Sequence, residues 1–235
     1  MKFIIENLSK SYDKTVVLKN VNFTFESGKI YGLLGRNGSG KTTLFNCINE
    51  DISRDSGSFT MEFDSEKRKL LFDDIGYVLS TPVVPEFLTG REFLKFFMDI
   101  HQKEIFDPRP LDEYFDYIGI NKESRDKLLK TYSHGMKNKM QMIISIIANP
   151  KLLLLDEPLT SLDVVASEEM KHLLRSFKGN RITILSTHIL DLALDLCDEI
   201  VLLSGGTLDI VDKSNLGNNE FREKIIDALK ESDNA

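Results

Sequence analysis

The nine residues GRNGSGKTT, positions 35–43, constrain this chain more than any other stretch. They follow the apolar run KIYGLL, precede a helix-forming segment, and fit the spacing G-x-x-x-x-G-K-[ST]. Gly35, Gly38 and Gly40 let backbone amides turn inward, and the helix that follows points its positive end at the same spot, so the run forms a nest for phosphate. Lys41 is long enough to reach the β- and γ-phosphates of a nucleotide, and Thr42 would set its hydroxyl on Mg²⁺. The candidate phosphate site is the whole run: Gly35, Arg36, Asn37, Gly38, Ser39, Gly40, Lys41, Thr42 and Thr43. The competing reading is a Gly-rich turn that holds no ligand.

A second element supports the nucleotide reading. KLLLLDEP places four leucines ahead of Asp156 and Glu157, so two carboxylates emerge at the C-terminal end of a buried strand, where ligands of open α/β sheets gather. Asp156 fits an acidic partner of the magnesium, and Glu157 fits a group that orients or deprotonates an attacking water. Adjacent acids after a strand also occur as solvated caps. Their position about a hundred residues after a phosphate loop strengthens the catalytic reading.

The remaining pattern shows where these motifs sit. Residues 1–80 hold short strand-like runs, KFIIENL, VNFTFE, KIYGLL, GSFTMEF and IGYVLS, with Val21, Phe23 and Phe25 alternating against Asn22 and Thr24. Residues 89–148 read as helical, opening on a capping box of Thr89 and Glu92. From residue 151 onward, strands and helices alternate: KLLLL, VVASEEMKHLLRSF, RITILST, ILDLALDLC and EIVLL. Near-continuous apolar runs separated by helices predict parallel strands buried on both faces. At 235 residues, the chain is long enough for one large domain with an added subdomain.

A net charge of −7 rules out a generally basic surface, so nucleic acid is not an expected partner. Cys47 and Cys197 both lie in apolar surroundings and read as reduced structural thiols rather than a disulfide or a metal site. The N-terminus has no signal-like apolar region, and no stretch reaches the roughly 18 uncharged apolar residues of a membrane span, so a protein soluble by itself is expected.

The stretch TYSHGMKNKM poses a separate question. Ser133 fits a helix N-cap ahead of MKNKMQMIISIIA. With Gly135 beside exposed backbone amides, the same helix start would also suit an anion.

Taken in order, GRNGSGKTT, YSHGM, LLLLDEPLTSLD and STH resemble the ATPase domain of ABC transporters over nearly the whole chain, and most closely the bacterial exporters of the ABC-2 class, whose ATPase and membrane subunits are separate chains. The resemblance implies an α/β P-loop NTPase core with a parallel sheet, an N-terminal antiparallel β subdomain and a helical insertion. It divides the single domain into a core of about 1–80 and 150–217, a helical subdomain of about 81–149 and a tail of 218–235. It implies that Ser133, His134, Gly135 and Met136 stand for the signature that binds the γ-phosphate of ATP held by the opposing subunit. By the same resemblance Tyr12 stacks on adenine, His188 is the switch histidine near the γ-phosphate, and Asp163 lies in the loop linking the two sites across a dimer. Asp163 could equally cap the helix VVASEEMKHLLRSF. His101 and His172 match nothing and read as surface or boundary histidines.

Three positions depart from the family pattern. His134 stands for the first Gly of the signature, Met136 for its Gln, and Ser80 for a Gln that contacts Mg²⁺ and water. The implied function is ATP binding and hydrolysis, with Mg²⁺ as cofactor, that powers a separate membrane permease. The implied partners are a second ATPase subunit, either a copy or a paralogue, and that permease, with the chain on the cytoplasmic face of the cell membrane. The alternative is a soluble ATPase of the same type without a transporter, such as one for iron–sulfur cluster assembly. The run FLTGREFLKFFMDI gathers Phe87, Phe93, Leu94, Phe96 and Phe97, enough apolar surface either for a small core or for a docking groove.

Overall fold

The computed structural model describes residues 1–101, 105, 108–160, 162–176, 179–212 and 225. The chain forms two compact units, one of Met1–Phe72 with Asn180–Ala235 and one of Asp73–Gly179. In chain order the first half contains β1 (Lys2–Tyr12), β2 (Thr15–Glu26), β3 (Lys29–Leu34), α1 (Lys41–Ile48), β4 (Ser56–Phe63), β5 (Glu66–Lys69), β6 (Ile75–Val78) and α2 (Gly90–Ile100). It continues with α3 (Leu111–Tyr117), α4 (Lys122–Arg125), α5 (His134–Ile147), β7 (Leu152–Asp156), α6 (Val164–Ser176), β8 (Ile182–Thr187), α7 (Leu190–Leu196), β9 (Glu199–Ser204) and β10 (Thr207–Val211).

In the first unit, β2, β1, β4 and β5 form an antiparallel sheet in that order. The alternation of β2 is realised: Val21 and Phe25 are buried while Asn22, Thr24 and Glu26 face out. Phe3 stacks on Phe25, with ring centroids 5.9 Å apart, and Phe25 meets Tyr31 edge-on at 4.9 Å. Strand β1 runs four residues beyond the apolar run KFIIENL. Asn7 adopts φ +51 and the register shifts between Ile5 and Leu8, so a bulge carries pairing through the polar segment SKSY.

Strand β3 pairs in parallel with β8 and β9, and β10 returns antiparallel along β9. Strand β8 is buried at every residue and β3 at all but Lys29, as expected of strands covered on both faces. Helix α7 packs on β3 and β8. It can do so because residue 32 is glycine: a Cβ there would lie 2.9 Å from Cys197 Sγ. Cys47 and Cys197 are both free and buried. Leu34, Leu190, Ala193, Ile200, Val211 and Ile225 form one core cluster. Apart from Ile225, the tail 218–235 and its weak helical pattern lie outside the described residues.

In the second unit, β6 and β7 pair in parallel, from Ile75 with Leu152 to Val78 with Leu155. Helix α2 opens on the expected capping box: the Thr89 side chain accepts from the Glu92 amide and the Glu92 carboxylate accepts from the Thr89 amide, which stabilises the helix by about 1 kcal/mol. Arg125, only 2% exposed, ties α3 to α4. Its guanidinium donates to Asp112 at 3.0 Å, to Asp116 and to the Ile120 carbonyl at 3.2 Å. Leu94 is fully buried on α2, whereas Phe87 and Phe96 are 78% and 59% exposed. His101 stacks on Phe97 at 4.3 Å, and His172 is exposed on α6. No helix among the described residues is long and apolar enough to cross a membrane.

Candidate functional site

In the first unit the chain leaves buried strand β3 at Gly35, whose amide donates to the Thr187 carbonyl at the end of β8, 3.2 Å away. Glycine lets the loop close tightly here, because a Cβ would sit 2.5 Å from Ser39 Oγ and push that hydroxyl aside. The loop turns on Gly38 at φ +80 and on Gly40 at φ +104, left-handed backbone that side-chain-bearing residues avoid. Gly40 is also the N-cap of α1. It provides no side-chain cap, and no acidic residue follows in the first turn, so nothing there offsets the positive end of the helix dipole.

The charged and polar groups of the loop converge on that end. Lys41, 5% exposed, donates from Nζ to the Gly35 carbonyl at 2.8 Å and to the Arg36 carbonyl at 3.0 Å. Ser39 Oγ is buried with no hydrogen-bond partner. A buried hydroxyl without a partner is costly, and a phosphate oxygen would satisfy it. Thr42 is exposed in the first turn of α1, and Thr43 is half-buried beside it.

His188 follows Thr187 directly, and Thr187 lies opposite Leu34 in the β3–β8 register. The phosphate loop and His188 therefore leave adjacent parallel strands at the same end. Tyr12 closes β1 opposite Thr15, with its ring half exposed and Lys10 Nζ 5.1 Å from the ring centre. On the same hairpin, Val17 sits against the loop, since a Cβ at Gly40 would meet Val17 Cγ1 at 2.7 Å. Val17 is thus a neighbour of the site that no motif marks; its only sequence signal is its place five residues after Tyr12.

In the second unit Asp156 is the last residue of fully buried β7 and is 3% exposed. Glu157 follows at φ +46 and is half-buried. Because Val78 pairs with Leu155, Ser80 leaves β6 at the same end as these acids, with its side chain exposed.

Ser133 caps α5, its Oγ accepting from the Met136 amide at 3.2 Å. His134, Gly135 and Met136 make up the first turn, which contains no acidic residue. Asp163 caps α6, with Oδ1 accepting from the Ala166 amide at 2.9 Å, so its capping role is realised. The two helix starts meet: the Cβ position of Gly135 lies 3.4 Å from Leu162 Cδ2 and 3.9 Å from the Ala166 Cβ. The structure thus places the YSHGM turn beside the loop that carries Asp163.

The family described as "ABC transporter" matches residues 18–160. The chain is 36% identical over 228 residues to an uncharacterized ABC transporter ATP-binding protein, YdbJ, of Bacillus subtilis, covering 94% of this chain and 72% of that protein. It is 33% identical over 223 residues to the lantibiotic transport ATP-binding protein SrtF of Streptococcus pyogenes, covering 93% of each. Among solved structures, the ATP-binding subunit of an ABC transporter superposes with a TM-score of 0.79 at 22% identity, covering 98% of this chain and all of that one, a likeness of fold.

Proposed function

This chain belongs to the ABC transporter family of ATP-binding proteins, and on that premise we propose which of its residues turn over ATP and what they drive. It is an ATPase subunit, and the transport names of its relatives favour that reading over a cluster-assembly ATPase. The observation that carries the site assignment is the phosphate loop itself: the Lys41 ammonium and the partnerless Ser39 hydroxyl gather at the uncapped start of α1. In our reading Gly35–Thr43 hold the β- and γ-phosphates and Tyr12 stacks on the adenine.

Mg²⁺ would neutralise phosphate charge during transfer, and the oxygen donors Thr42 and Asp156 suit such a hard cation. Glu157 orients and polarises the attacking water, and His188 hydrogen-bonds the γ-phosphate. The Ser80 hydroxyl is shorter than the family's Gln and reaches the site only through a water. Ser133, His134, Gly135 and Met136 bind the γ-phosphate held by a second subunit, a copy or a paralogue, and Asp163 lines that interface. Closure and reopening of the pair move an integral membrane permease, as an exporter on the cytoplasmic face of the membrane.

The permease docks on the helical segment after β6. Phe87 and Phe96 carry this part of the proposal, because they remain exposed while Leu94 alone of the five apolar residues is fully buried. Phe87→Glu with Phe96→Glu should abolish co-purification of the permease subunit that the wild-type chain pulls down and leave basal ATPase activity intact. Undiminished co-purification would remove the docking assignment.

A further inference from the structure

The turn after β7 does more than end a strand. Glu157 holds left-handed backbone at φ +46, a conformation that non-glycine residues adopt only where their surroundings impose it. Pro158 and Leu159 are buried and anchor the turn, and Thr160 is exposed at its far side. Two bonds then close it. The Thr160 amide donates to the Glu157 carbonyl at 3.0 Å, and the Thr160 hydroxyl donates to Glu157 Oε2, also at 3.0 Å. A single residue therefore grips Glu157 at its backbone and at its carboxylate.

We propose that Thr160 is a positioning residue for hydrolysis: its hydroxyl fixes the direction in which the Glu157 carboxylate faces the attacking water. The inference rests on the reading of Glu157 as the water-orienting group. A glutamate side chain has three rotatable bonds and samples many rotamers at a half-exposed site. A hydroxyl donor on a rigid turn three residues away selects one orientation before ATP arrives, and preorganisation of that kind acts on the chemical step rather than on binding. Serine at position 160 keeps the donor; valine keeps the shape and loses it.

The test compares steady-state and single-turnover ATP hydrolysis by the full chain and its Thr160→Val, Thr160→Ser, Glu157→Ala and Glu157→Ala/Thr160→Val variants. Thr160→Val should lower kcat about tenfold with the KM for ATP unchanged, and Thr160→Ser should restore kcat. With Glu157 already truncated, Thr160→Val should cause no further loss, since there is no carboxylate left to hold. Wild-type kcat in Thr160→Val, no recovery in Thr160→Ser, or an equal further loss on the Glu157→Ala background would each overturn the positioning role while Glu157→Ala itself stays slow. A Glu157→Ala variant as fast as wild type would instead overturn the Glu157 assignment, and this inference with it.

Discussion

Glu157→Gln should slow ATP hydrolysis by about a thousandfold while leaving ATP binding intact. The substitution is nearly isosteric and keeps a group that can hydrogen-bond water and accept from Thr160, whose hydroxyl lies 3.0 Å from Oε2. It removes the negative charge that polarises the water for in-line attack. A positioned acid–base group contributes roughly 10²–10⁴-fold, which sets the size of the effect. Binding should survive because the phosphate contacts proposed here come from Gly35–Thr43 and not from the end of β7. Single-turnover hydrolysis beside equilibrium ATP titration checks both halves, and hydrolysis within tenfold of wild type would remove Glu157 from the chemistry.

Lys41→Ala should act at the opposite step, lowering ATP affinity at least tenfold, equivalent to about 1.4 kcal/mol. The ammonium is almost fully buried against the Gly35 and Arg36 carbonyls, so it is already held at the mouth of the loop and has little conformational freedom left to lose on meeting phosphate. Removing it leaves those two carbonyls and the incoming anion without a cationic partner. Binding of a fluorescent ATP analogue would read the change, and unaltered affinity would sink the phosphate-loop assignment.

The parts of the fold that bury apolar strands or begin with a cap are visible in the sequence. KIYGLL, LLLL and ITILST become β3, β7 and β8, and Thr89, Ser133 and Asp163 cap α2, α5 and α6. Strand β5, Glu66–Lys69, is not legible, because EKRK is a charged edge strand formed by pairing with β4 rather than by an apolar pattern. Strand β10 is hidden for a related reason: TLDIV is short and continues beyond a Gly205–Gly206 turn as the outer partner of β9.

The site divides in the same way. In the proposed site, the glycines, Lys41 and the Asp156–Glu157 pair stand at fixed spacings in the sequence, which is why they can be proposed from it directly. The grip of Thr160 on Glu157 and the packing of Val17 on Gly40 depend on a left-handed residue and on a hairpin register, and neither leaves a periodic trace in the chain.

The central claim is that ATP closes a pair of subunits through the capped start of α5, so the most direct measurement is sedimentation with ATP and Mg²⁺ of two variants that cannot clear the nucleotide. Glu157→Gln alone should accumulate as an ATP-bound dimer. Adding Ser133→Arg removes the hydroxyl and puts a bulky cation at a helix N-terminus whose dipole already disfavours positive charge. The double variant should bind ATP at its own phosphate loop and remain a monomer. If it dimerises as well as Glu157→Gln alone, the YSHGM turn is a helix cap and nothing more, and closure through it is wrong.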